Sequence, residues 1–274
     1  MKKTLIVFIT FTIILIFSLH AIAQFIAEEV AEREKWEEFL KTAELQGLWQ
    51  MKSRNAVTKP WKITLKQDDI TRDALWKDIE GWHGGFLENW RYEIAAYLLD
   101  KYLELNMIPP TVERVVMSKR GSCQLWVEYK MSLKESIKQQ ATVPRGYLIS
   151  WNKATYLQRA FDNLIANEDR HQGNILITKD WCMILIDHSR SFRSIKTSKK
   201  ELIFLFENKE TKYFIMLPKA FIEKIKTLDF MLLKDIAGKY LKTAEIKAII
   251  ARKELILNEI DRLIKKYGED KVLY

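Results

Sequence analysis

The stretch from Phe161 to Ser189 concentrates the polar residues that could do chemistry. Asp169, Arg170 and His171 follow a helical pattern, Asn174 opens the apolar run 175–177, and Asp187 follows a second run that ends at Ile186. Between the runs, Thr178, Lys179 and Asp180 carry turn chemistry, so the two read as a hairpin whose ends lie side by side. Asn174 and Asp187 become neighbours, with Asp169 five residues upstream in the connecting loop. One amide and one carboxylate form an oxygen-only pair suited to Mg²⁺, which keeps waters and completes its shell on substrate phosphates. A separate aspartate beside them can take a proton from an attacking hydroxyl. Either aspartate alone would read as a turn cap. The joint spacing carries the chemistry.

Negative charge on phosphate oxygens calls for a fixed cation, and Lys77 ends a short strand-like run, 74–77. Glu93 lies on the helix that follows, between Trp90 and Tyr97 on a stripe that otherwise faces a core. An unpaired carboxylate there would be strongly destabilising. Lys77 is its expected partner, with Lys62 and Arg91 as alternatives.

The elements that must position these groups follow from periodicity. Residues 25–45 read as an amphipathic opening helix, 61–65 and 74–77 as a hairpin around a polar turn at 67–69, and 81–85 as a glycine-rich connector. A helix over 88–105 is closed by Asn106 and by Pro109 and Pro110. Strands over 112–117 and 123–129 are joined through 118–121. The order is helix, then β-β-α-β-β. From Met131 the pattern is mainly helical, with helices over 133–140, over 151–167 with Ser150 as N-cap, over 219–240 and over 243–267 ended by Gly268. The hairpin 174–186 alternates poorly, which predicts strands buried on both faces.

With Asp169, Arg170, His171 and Asn174 in a D-R-H-x-x-N pattern and Asp187 in an I-D pair, the sequence resembles the protein-kinase-like superfamily. Within it, the phosphoinositide kinases, the HipA-like kinases and the secretory-pathway protein kinases look closest. The resemblance covers roughly Pro60 to Phe192. It implies an α+β, two-lobed fold, with a small antiparallel-sheet lobe over 24–130 and a mainly helical lobe over 131–274. It also implies ATP as nucleotide, Mg²⁺ or Mn²⁺ as metal, and a hydroxyl acceptor on a protein, lipid or sugar. By the same resemblance, Asp169 is the catalytic base, and His171 and Arg170 stabilise the transferring phosphoryl group. Asn174 and Asp187 ligate magnesium, Lys77 held by Glu93 contacts the phosphates, and the strand ending at Val127 leads into the hinge that holds adenine.

The sequence departs from that pattern in places. No G-x-G-x-x-G precedes Lys77, the candidate phosphate turn 53–58 has no glycine, and Asp187-His188-Ser189 stands where protein kinases have Asp-Phe-Gly. Two further readings therefore stand beside the kinase: a catalytically silent nucleotide-binding scaffold, and a metal-dependent phosphohydrolase using Asp169, His171, Asp187 and His188. Arg190 and Arg193 face either phosphate or solvent, and His83 reads as structural.

Composition bounds the rest. The 274 residues, 48% apolar and 12% aromatic, suffice for a real core, and nine Gly, five Pro and two Cys exclude collagen-like and disulfide-framework classes. A net charge of +9 without a dense Lys/Arg block favours an acidic acceptor over nucleic acid. Lys2 and Lys3, an uncharged apolar stretch over 5–19 and Ala21-Ile22-Ala23 read as a cleaved export signal over 1–23 or an uncleaved outward-facing anchor. Any membrane contact is then expected through that segment alone. Cys123 and Cys182, in strand-like segments, read as reduced core thiols.

Overall fold

The structure is a computed structural model that describes residues 27–51, 60–195, 200–204 and 216–274. The expected signal over 1–23 and the turn 53–58 lie outside the described residues. Among the described residues, no helix is long and apolar enough to cross a membrane.

The first half runs α1 (Ala27–Ala31), α2 (Arg33–Thr42), β1 (Glu44–Gln50), β2 (Trp61–Gln67), β3 (Ile70–Lys77), β4 (Glu80–His83), β5 (Phe86–Asn89), α3 (Trp90–Leu103), β6 (Thr111–Val116) and β7 (Lys119–Leu125). Five of these strands make an antiparallel sheet in the order β1-β2-β3-β7-β6, while β4 and β5 pair only with each other. Alternation sets the inner face of the sheet. Ile63 and Leu65 of β2 and Ala74 and Trp76 of β3 are fully buried, and they pack on Phe39 and Leu40 of α2 with Val112 and Cys123. Burial pushes the Cys123 thiol up to about 12, so it behaves as an apolar filler. Cys182 lies just before the second strand of the later hairpin, also as a free thiol.

Several expected boundaries move, each for a local reason. The opening helix stops at Thr42 because Ala43 turns extended at ψ 143°, and the next residues become β1, a strand that periodicity does not reveal. The connector 81–85 is itself the β4–β5 hairpin, turning at Gly84 and Gly85 with φ 56° and 84°. Strands β6 and β7 meet through two residues rather than four, since Met117 and Ser118 both adopt left-handed backbone. Gly121 is thereby drawn into β7, where a Cβ would stand 2.3 Å from the Lys77 carbonyl oxygen. Only glycine lets β7 come so close to that end of β3.

The second half contains β8 (Met131–Ser132), α4 (Leu133–Lys138), α5 (Leu148–Ile165), β9 (Ile175–Ile177), β10 (Met183–Leu185), α6 (Lys219–Thr227), α7 (Phe230–Ala237), α8 (Thr243–Tyr267) and α9 (Glu269–Val272). The expected hairpin is β9–β10, buried along its length and joined by β8. Ser150 is not a cap. Helix α5 starts at Leu148, and the Ser150 hydroxyl donates back to the Tyr147 carbonyl. The stripe over 219–240 is two helices, broken where Asp229 caps α7 by accepting from the Leu232 amide.

The largest apolar cluster joins Tyr92, Ala96 and Leu99 of α3 to Phe161 of α5 and Ile249 of α8. Since α3 also touches β6 and β7, it belongs to both halves. Its far end is pinned by a buried ion pair, Arg33 Nη2 to Asp100 Oδ2 at 3.1 Å. Asp100 Oδ1 accepts from the amides of Met107 and Ile108 as well.

Arg33→Met strands the Asp100 carboxylate and is expected to lower unfolding free energy by about 3–5 kcal/mol, read from the urea midpoint. Burial pushes Asp100 up to about 6, against the pull of Arg33 and the two amides. Between roughly pH 4 and pH 6 the folded chain keeps a proton that the unfolded chain releases, so this group makes stability fall as pH rises through that window. Urea midpoints across it should show the fall in wild type and a flatter profile in Asp100→Asn.

Candidate active site

Lys77 is the last residue of β3, paired across the ladder with Ser122 beside Gly121. Its Nζ lies 2.6 Å from Glu93 Oε1 and 2.9 Å from Asp187 Oδ1, and the three side chains are 8%, 3% and 37% exposed. Of the expected partners for Glu93, Lys77 is the one found; Lys62 pairs with Asp73 and Arg91 with Glu80. Burial alone would lower Lys77, but Asp187 and Glu93 outweigh it and hold the ammonium above its ordinary range. Burial likewise opposes the Glu93 charge, yet Lys77 and His188 hold that carboxyl well below the usual carboxylate range.

The residues from Asp187 to Arg190 are each held by the first half of the chain. Asp187 takes Lys77, the His188 amide donates to Glu93 Oε2 at 2.9 Å, and the Ser189 carbonyl accepts from the Asn89 amide at 2.9 Å. Arg190 then donates to Glu88 Oε1 through Nε at 2.9 Å and Nη2 at 2.6 Å. Asn89 is also the N-cap of α3, accepting from Arg91, so one short stretch anchors both the helix and the segment.

Asp169, His171 and Asn174 share the loop between α5 and β9. The Asn174 side-chain Nδ2 donates to the Asp169 carbonyl at 3.2 Å, and the Ile186 backbone amide donates to the Asn174 carbonyl at 3.2 Å, so the hairpin ends meet as the spacing predicts. His171 is exposed, with Nδ1 accepting from the Gly173 amide at 3.0 Å. A cavity of about 1040 Å³ opens over these groups. Lys77, Asp169, His171, Asn174 and Asp187 all line it, as do Leu75, Leu125 and Val127. The peptide groups of Val127 have no partner among the described residues.

Arg170 departs from expectation. Its side chain is 1% exposed and is turned inward, bonded to both carboxylate oxygens of buried Asp162 and to the carbonyls of Asn174 and Ile186. A guanidinium so committed braces the loop and has no donor free for a phosphoryl group. It also reaches His188 Nε2 at 2.7 Å. Burial and Arg170 hold His188 below its ordinary value, which makes the ring neutral, with Nε2 accepting. A fully buried imidazole engaged in this way is no ligand for a metal in the cavity, which weakens the phosphohydrolase reading.

Sequence reasoning missed Glu88 and left Arg190 undecided. Glu88 is 2% exposed on β5, but the sequence reading put it at the start of the helix, where a glutamate needs no explanation. Arg193 pairs with Glu168, and His83 sits on β4 opposite Phe86.

The donors present fit a hard divalent cation. Asn174 and Asp187 line the cavity and carry an amide and a carboxylate oxygen that could hold a metal, and among the described residues no group of three His, Cys, Asp or Glu could enclose one. Two protein ligands leave the remaining positions to water and phosphate, as Mg²⁺ and Mn²⁺ sites on nucleotides require.

No family model and no curated protein matches the sequence. Solved structures do match its fold. The structure of hydra Fam20 with sugar aligns at TM-score 0.62 and 14% identity, covering 89% of this chain and 92% of that one. The Golgi casein kinase aligns at 0.60 and 15% identity, over 88% of this chain and 79% of that one. The same enzyme with Mn/ADP bound gives 0.61 and 16%, over 89% and 78%. The chain therefore has the protein-kinase-like fold of these structures, α+β with an antiparallel sheet followed by helices.

Lys77→Ala leaves Glu93 buried without its cation and is expected to destabilise the fold by about 3 kcal/mol or more in a denaturant titration. Lys119→Ala removes only the exposed pair with Asp78 and should stay below about 1 kcal/mol.

Proposed function

We propose that this chain is an exported ATP-dependent phosphotransferase that moves the γ-phosphoryl group to a hydroxyl. The observation that carries the reading is the Lys77 ammonium bonded to both Glu93 and Asp187 at the edge of a cavity that also contains Asp169 and Asn174. Singly these groups have structural explanations. Together they supply a cation for phosphate oxygens, oxygen ligands for a metal and a carboxylate base.

In this reading adenine lies against Leu75 and Val127, with the Val127 peptide as its hydrogen-bonding edge, and Lys77 contacts the phosphates. Asn174 and Asp187 hold Mg²⁺ or Mn²⁺, which when bound offsets charge on the phosphate oxygens. Asp169 accepts the proton of the acceptor hydroxyl as the oxygen–phosphorus bond forms, and the bond to the bridging oxygen breaks so that ADP leaves with its electron pair. His171, exposed at the loop, is available to the transferred group, while Arg170 acts only through the loop it braces. The acceptor is a protein or sugar hydroxyl. Support comes from the like-folded enzymes, one described as a casein kinase and one determined with sugar. The basic balance of the chain suits an acidic acceptor. Export rests on the apolar stretch before Ala21-Ile22-Ala23.

The competing reading is a silent nucleotide-binding scaffold, favoured by the absence of a glycine-rich loop before Lys77. Incubation of the purified chain with γ-labelled ATP, Mg²⁺ or Mn²⁺, and casein or a soluble glycan separates the two. Wild type should label an acceptor, Asp169→Asn should do so about 10²–10⁴-fold more slowly, and both should bind ADP. ADP binding with no transfer by wild type establishes the scaffold. Equal labelling by wild type and Asp187→Asn removes the site assignment.

A further inference from the structure

The β4–β5 hairpin carries a carboxylate that the reaction above does not use. Glu88 is 2% exposed, although Phe86 and Leu87 before it on β5 are both 43% exposed. A hairpin that packs so little apolar surface has another reason to bury a charge, and a charge buried there requires a cation. That cation is Arg190. Glu88 Oε1 receives its Nε and Nη2 at 2.9 and 2.6 Å, and Oε2 receives the Ser189 hydroxyl at 3.2 Å. The guanidinium lies over the Phe86 ring, 4.4 Å from its centroid. With one face stacked and one edge bonded, the remaining corner is fixed in direction. It points at the catalytic loop: Nη1 stands 3.2 Å from Asp169 Oδ2.

We infer that Arg190 is a positioning residue for Asp169, itself aimed by Glu88 and Phe86. The inference rests on the phosphotransferase reading and deepens it. The Arg190 guanidinium pairs with Oδ2 of the carboxylate at 3.2 Å, which in this reading leaves Oδ1 to take the acceptor proton. The guanidinium gives up no proton during the step; the acceptor hydrogen passes to Oδ1 while the new oxygen–phosphorus bond replaces the bond to ADP. This is not an ordinary rim ion pair. The side chains of Arg190 and Glu88 are only 17% and 3% exposed, and all three charged groups line the cavity. The hairpin thereby sets the base in place from the opposite half of the fold, a constraint that neither Lys77 nor Glu93 supplies.

The test uses the full chain with labelled ATP, casein or glycan as acceptor, and ADP titrations for nucleotide affinity. Arg190→Gln should lower kcat by about 10²-fold, the scale of a small misplacement of a reacting group, with KM for ATP and ADP affinity unchanged. Arg190→Lys should recover part of that loss. Glu88→Gln should lower kcat in the same way, and the double variant should be no worse than the poorer single, because both act through one contact. If Arg190→Gln fails to fold, Phe86→Leu serves instead. It removes the exposed ring beneath the guanidinium and should lower kcat several-fold at an unchanged melting midpoint. An unchanged kcat in Arg190→Gln, a raised KM for ATP at constant kcat, or additive losses for Glu88 and Arg190 would each overturn the inference while leaving the phosphotransferase standing. Absence of transfer by wild type sinks both.

Discussion

The site depends on one lysine that is removed from water and shared by two carboxylates. Burying an ammonium is unfavourable unless its partners are close and are themselves satisfied. Glu93 meets that condition: one oxygen takes Lys77 and the other takes the His188 amide, at 2.6 and 2.9 Å. Asp187 does not. It gives Oδ1 to Lys77 and the Ser189 hydroxyl while 37% of its side chain remains exposed to the cavity. The two carboxylates on one lysine thus divide the work, Glu93 closed and structural, Asp187 with an oxygen left for a ligand. The cluster of one cation and two anions carries an excess negative charge. A divalent metal at Asp187 would more than offset it, leaving positive charge for phosphate oxygens.

Holding that lysine requires the two halves of the chain to stay in register. Helix α3 does most of this because its residues enter the large helical core while its flank packs on β6 and β7. The segment from Asp187 to Arg190 is then fastened residue by residue: Asp187 by Lys77 of β3, His188 by Glu93 of α3, and Ser189 and Arg190 by Asn89 and Glu88 just before that helix. From the other side, Arg170 ties Asp162, the two hairpin ends and the His188 ring into one buried network. A continuous chain of polar contacts therefore runs from Asp162 through Arg170, His188 and Glu93 to Lys77. The neutral His188 ring suits its place between a guanidinium and a carboxylate. A protonated ring would set two like charges 2.7 Å apart in a fully buried site.

The parts of this arrangement that could be read from the sequence are those with short-range rules. The spacing of Asp169, Asn174 and Asp187 is a hairpin property, and the position of Glu93 on an apolar stripe is a helix property, so both pointed to the groups that meet. Strand β1 was hidden because Glu44, Leu45 and Gln46 continue the helical pattern, and what ends it is its pairing with β2. The resemblance places Arg170 on the transferring phosphoryl group, whereas its side chain turns inward. Its real partner, Asp162, is eight residues back on α5, and Asp162 shows as a buried acid only once the helix has packed. Glu88 and Arg190 are 102 residues apart, a pairing that no local pattern encodes.

Backbone conformation marks the same region. With nine glycines in the chain, left-handed backbone falls to other residues, and three of these, Ala166, Asp187 and Phe192, stand at the two ends of the site with φ of 51°, 60° and 62°. Each such residue is disfavoured by about 1 kcal/mol or more relative to glycine, so the surroundings must over-determine it. Ala166 and Phe192 are buried at 0% and 1%, and the Phe192 amide donates to the Ile165 carbonyl, which ties the end of α5 to the end of the Asp187 segment. Asp187 is held by Lys77. A glycine at 187 would relieve the backbone but remove the carboxylate, and an extended residue there would turn the side chain away from the cation. The strain at Asp187 is tolerated because the Lys77 contact needs both the left-handed turn and the acid.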